Sequence, residues 1–162
     1  MNDDYFRHMH IPPALGNAFT DTFTRMEYAL KASGTYADGG AKSVSPAWDS
    51  FANDIDTDLR AIQDKDLQAA LDYLRSDPVR KQAKTGFIPL PLDPKQSETQ
   101  RILHVVRMVR NNIVHGAKIQ MEGENERGRN EKLVSASLTV LNHASGLIES
   151  VRKKFQETAP KK

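Results

Sequence analysis

The stretch from Ser97 to Gly116, SETQRILHVVRMVRNNIVHG, decides the fold class. Ile102, Val106, Val109 and Ile113 recur at three- and four-residue intervals with Leu103 and Val105 beside them, so the spacing predicts an amphipathic helix. Ser97 followed three residues later by Gln100 has the form of a capping box, in which each side chain satisfies a backbone amide of the other. Gly116 breaks the pattern and supplies a stop. Near that stop stand Arg110, Asn111, Asn112 and His115. Arginine is a permanent cation whose fork of donors fits phosphate oxygens, and histidine moves protons near neutral pH.

Helical spacing continues on both sides of this run. Upstream, Pro12 and Pro13 precede Leu15, Phe19, Phe23, Met26 and Leu30, which form one apolar face ending near Ser33, with Glu27 at its border. Gly34 to Ser43 is glycine-rich and reads as a loop. Ser45 as cap and Pro46 in the first turn then predict a helix with a stripe of Trp48, Phe51, Ile55, Leu59 and Ile62. Asp49, Asp54, Asp56 and Asp58 fall on its other side and match no calcium-loop spacing, so they read as a solvated face. Leu67, Ala70, Leu71 and Leu74 predict a short helix stopped by Ser76-Asp77-Pro78.

From Val79 to Lys95 the chain carries Gly86, Pro89, Pro91 and Pro94; within it Phe87 to Leu92 reads as extended chain crossing the bundle, and Arg80, Lys81 and Lys84 before it supply a basic cluster. A proline-rich ligand for another protein is the weaker reading. Ala117 to Gly128 reads as a polar loop or a short hairpin, and Val134, Leu138, Leu141, Leu147, Ile148, Val151 and Phe155 define one long last helix. Residues 1–11 and 156–162 read as flexible ends, and His8 and His10 lack a third ligand nearby. The expected fold is all-α: residues 1–162 as a single domain, an up-and-down bundle of about five helices.

Composition excludes several classes of protein. With 162 residues the chain is long enough to bury a core without staples. It has no cysteine, which rules out disulfides and thiolate metal sites and fits a cytoplasmic location. The start, Met1-Asn2-Asp3-Asp4-Tyr5, has neither the basic nor the apolar part of a secretory signal, and no run of apolar residues is long enough to span a membrane. A net charge of +2 does not mark a nucleic-acid binder, so RNA as a partner requires a local basic surface.

Arg110 and His115 suffice in kind for cutting a phosphodiester without a metal or other cofactor. An imidazole with a pKa near about 6.5 serves as base or acid, and a guanidinium stabilises charge on the non-bridging oxygens. Asn111 lies one helical turn before His115 and is suited to orient it. The spacing also sets a difficulty: five residues correspond to about 140° of rotation, so Arg110 and His115 do not point the same way on an ideal helix.

Arg110, four intervening residues and His115, with Asn111 directly after the arginine, resemble the signature of the HEPN superfamily, small helical bundles that include many metal-independent ribonucleases of toxin–antitoxin and phage-defence systems. The resemblance implies a HEPN-like fold and a homodimer in which the two Arg–His motifs face each other. It further implies an endoribonuclease that cuts RNA at this composite site, restrained by a cognate antitoxin protein or acting in antiviral defence. Arg110, His115 and Asn111 take the catalytic positions, with Asn112, Lys118, Arg107 and, in a supporting role, Glu27 around the substrate. The alternative is a non-catalytic HEPN-like module that binds RNA or nucleotide, or only dimerises.

Each of these residues also has a plainer role available. Cations near a helix C-terminus favour the helix dipole whatever else they do. Lys118 is one exposed lysine among many, and Arg107 is as well placed for a surface ion pair with Glu98 or a neighbour as for phosphate. His104 and His143 lie beside apolar stripes and read as partly buried structural histidines. Trp48 reads as core.

Overall fold

The computed structural model describes residues 3–76, 79–84, 86–115 and 127–158. The capping box forms as its spacing requires: Gln100 N donates to Ser97 Oγ at 3.2 Å, and Ser97 N donates to Gln100 Oε1 at 2.8 Å. From there helix α5 runs over Glu98–Val114 and buries Ile102, Leu103, Val105, Val106, Val109 and Ile113.

The earlier helices are α1 (Asp3–His8), α2 (Pro13–Ala32), α3 (Trp48–Ala61) and α4 (Lys65–Ser76); α6 (Arg127–Ala144) and α7 (Glu149–Glu157) follow. Proline opens α2, where an amide would have no partner, and Phe19, Phe23, Met26 and Leu30 line its buried face. Asp64 Oδ1 caps α4 by accepting from Leu67 N at 2.8 Å. Packing links helices distant in the chain: α2 lies against α6 and α7, α3 against α5, and α4 against α6. The apolar stripes meet in one core. Trp48 belongs to it, stacked on Phe23 with ring centroids 5.3 Å apart. No described helix is long and apolar enough to cross a membrane.

The helical class holds, but the element list differs from expectation in four places, and seven helices replace about five among the described residues. The first difference is at the N-terminus. Residues 3–11 are not a loose arm: Phe6, Met9 and Ile11 are buried in the core, and Asn130 Nδ2 donates to the Met9 carbonyl at 2.9 Å. Second, the helix after the glycine-rich stretch is not capped by Ser45. That residue lies in strand β2 (Ser43–Pro46), paired antiparallel with β1 (Ala37–Gly40), and the N-cap is Ala47. Gly39 makes this hairpin possible: its φ is +119°, and a Cβ there would meet the Ser43 carbonyl oxygen at 2.3 Å. Tyr36 at the hairpin's foot donates to Asp54 Oδ2 at 2.7 Å; burial and this carboxylate push its pKa up to about 12.

Third, the proline-containing segment is extended at Phe87 to Pro89, but as one strand of a hairpin. It turns back on itself as strands β3 (Arg80–Ala83) and β4 (Gly86–Pro89), with Gly86 at φ +122°. Fourth, the long last helix is two. After Ala144 the chain tightens into turns, with Gly146 N on the His143 carbonyl and Leu147 N on the Ala144 carbonyl, both at 3.3 Å, before α7 begins. The C-terminal end is also held further than expected: α7 runs to Glu157, and Arg25 donates to the Phe155 carbonyl at 3.1 Å and to Thr158 Oγ1 at 3.3 Å.

Candidate functional site

Most of the candidate residues lie in the second half of α5 or at its C-cap, and side chains and backbone of α1 and α3 hold this helix at its two ends. At its start, Asp56 Oδ1 of α3 accepts from Thr99 N at 3.0 Å, an acidic side chain at a helix N-terminus. Burial would raise the Asp56 carboxyl; the Thr99 amide and Arg60 outweigh it and hold it below the usual carboxylate range. Gln100 Nε2 donates to the Asp49 carbonyl at 3.0 Å. At the other end, the Tyr5 hydroxyl of α1 donates to the Ile113 carbonyl.

His115 is the C-cap residue of α5, with φ −89° and ψ 9°, and its amide donates to the Asn111 carbonyl at 2.9 Å. It is exposed. Arg110 is half-buried: its Cζ stands 5.4 Å from the centre of the Phe23 ring, and its Nη1 donates to Asn111 Oδ1 at 3.3 Å. The Asn111 carboxamide thus meets Arg110, not the His115 ring it was expected to orient; its tie to His115 is the backbone bond of the helix.

Glu27 stands one turn beyond Phe23 on α2, half-buried. Arg110 meets the Phe23 ring, and Glu27 follows one turn later on the same helix, with no ion pair between the two among the described residues. Asn112 is different from its expected role. Only 3% exposed, it donates from Nδ2 to the Arg80 carbonyl at 2.9 Å, so it ties the β3–β4 hairpin to α5 and does not face a substrate. Asn111 and Asn112 are adjacent, but 100° of rotation sends one to the surface and the other to the core.

Arg107 faces Asp49 Oδ1 at 3.9 Å, a long and half-exposed contact that leaves most of its charge available. Glu98, the alternative partner, binds Arg75 instead. His104, one turn before Arg107, is half-buried and has its pKa lowered by burial first, then by Arg107 and Lys81, against the pull of Asp49. A face of α5 thus carries His104, Arg107 and Asn111, approached by Lys81 of β3. His143 lies apart, 3.7 Å from the Asp64 carboxylate that caps α4.

Gly116 and Lys118 lie outside the described residues. Sequence reasoning missed Tyr5 and the role of Asn112. Tyr5, Phe6 and Met9 carry the one-and-four spacing that marks a short amphipathic helix, a signal hidden among polar neighbours. No protein-family model, curated protein or solved structure matches the chain.

Proposed function

We propose that the protein is a metal-independent endoribonuclease of the HEPN-like type, working as a homodimer in a toxin–antitoxin or antiviral defence system inside the cytoplasm. The observation that carries this reading is the Arg110–Asn111–His115 arrangement: an exposed imidazole at the end of α5, with a guanidinium in contact with the intervening asparagine. His115 takes the proton of the ribose 2′-hydroxyl or returns one to the leaving 5′-oxygen, and Arg110 stabilises the charge on phosphorus. Arg107 and Lys81 supply further positive charge beside the motif. Glu27, one helical turn after the phenylalanine that Arg110 meets, balances charge at the edge of the site. A cognate antitoxin would act by covering this end of α5.

Incubating purified protein with mixed RNA tests the reading. Wild type is expected to cleave, whereas Arg110→Ala and His115→Ala abolish cleavage with the folded state kept, read from an unchanged far-UV circular dichroism spectrum, because neither side chain belongs to the apolar stripe. EDTA is expected to leave the rate unchanged. Loss of cleavage in EDTA with recovery on adding magnesium would contradict the mechanism. Binding of RNA by wild type and His115→Ala alike, with no cleavage by either, would favour the non-catalytic module.

A further inference from the structure

The N-terminal segment does more than fill space. Helix α1 and the turn that follows it reach three helices at once. Phe6 is fully buried over Gly16 of α2, where a Cβ would stand 2.3 Å from its ring. The Met9 carbonyl takes a hydrogen bond from Asn130 of α6, and the Tyr5 hydroxyl donates to the Ile113 carbonyl of α5. Ile11 completes the seam, lining a small apolar cleft with Val109, Ile113, Leu133 and Val134.

The Tyr5 contact falls at a significant place. In the last turn of a helix the carbonyls have no amide ahead of them within the helix, and this turn is where fraying begins. Ile113 is two residues before His115, and its carbonyl is held by a half-buried phenol anchored through Phe6, whose ring meets Tyr5 edge-on at 6.0 Å between centroids. We propose that Tyr5 is a positioning residue for His115: its hydrogen bond to Ile113 fixes the last turn of α5 and so the place of the imidazole. The assignment rests on the ribonuclease reading for its effect on catalysis, but its structural part stands independently.

The removal of one oxygen tests it without disturbing the packed ring. Tyr5→Phe is compared with wild type and with Tyr28→Phe, an exposed phenol on α2. The expected result is a kcat for RNA cleavage reduced about 10- to 100-fold, since small misplacements of an acid–base group cost that much. KM stays within about twofold, because substrate contacts are retained. In the NMR spectrum of Tyr5→Phe the His115 ring resonances move while those of His143 stay, and Tyr28→Phe changes neither. Unmoved His115 resonances, or equal displacement of His115 and His143, would overturn the assignment. If wild type cleaves no RNA while the His115 resonances still respond, the ribonuclease reading fails and the positioning role stands. If wild type cleaves and Tyr5→Phe cleaves at the same kcat, the positioning role fails alone.

Discussion

Two neighbouring asparagines show how little of a residue's role lies in its type. Asn111 borders Arg110 and His115 at the surface; Asn112 is buried and holds the Arg80 carbonyl. Removing the Asn112 amide deletes that hydrogen bond and empties the space of a side chain that is buried. Asn112→Ala is therefore expected to lower the unfolding free energy by about 1–3 kcal/mol, read from urea titration. Asn111→Ala should change it by less than about 0.5 kcal/mol, as a half-exposed side chain outside the core. The comparison is informative because both substitutions remove the same group from the same helix. Equal losses would mean that Asn112 does not tie the hairpin to α5.

At the scale of elements, helices with a cap and a full stripe were legible and interrupted ones were not. The capping box, the proline start of α2 and the stripe of α3 from Trp48 to Leu59 follow directly from residue spacing. The break between α6 and α7 was hidden because Leu147 and Ile148 are apolar and partly buried there, so the turn preserved a core-like composition. The two hairpins were hidden because each is a single pair of four-residue strands, with mostly exposed residues and no alternation to mark them. Helix α1 was hidden because its apolar residues are few and act through a long-range partner, Gly16.

That partnership gives an element-scale prediction. A glycine inside a helix ordinarily gains stability on replacement by alanine, roughly 0.5–1 kcal/mol. At Gly16 the new methyl would lie inside the Phe6 ring, so α1 must move off α2. Gly16→Ala is expected to destabilise by about 1–3 kcal/mol, the usual cost of overpacking. In a Phe6→Ala background the clash is gone, and the same substitution should turn neutral or stabilising. A Gly16→Ala effect that is the same in both backgrounds would show that α1 is not packed there.

For the whole molecule, the question is how many chains make one site. Within one subunit Arg110 turns toward Phe23 while His115 is exposed at the C-cap, in keeping with the 140° that separates five positions on a helix. A twofold pair of bundles, as proposed above, lets the arginine of one chain serve the histidine of the other. Complementation separates this arrangement from a site confined to one chain. Arg110→Ala and His115→Ala homodimers each lack one group at every site, so both are inactive. In a mixed dimer, one composite site receives Arg110 from the His115→Ala chain and His115 from the Arg110→Ala chain, and the other site receives neither. Equal mixing with free exchange makes half the dimers mixed, each with one of two sites intact, so about a quarter of wild-type cleavage should return. If each chain held its own Arg110 and His115 at one site, the mixture would stay inactive. Exchange is verified beforehand by native mass spectrometry of differently tagged chains, so a silent mixture would count against the shared site.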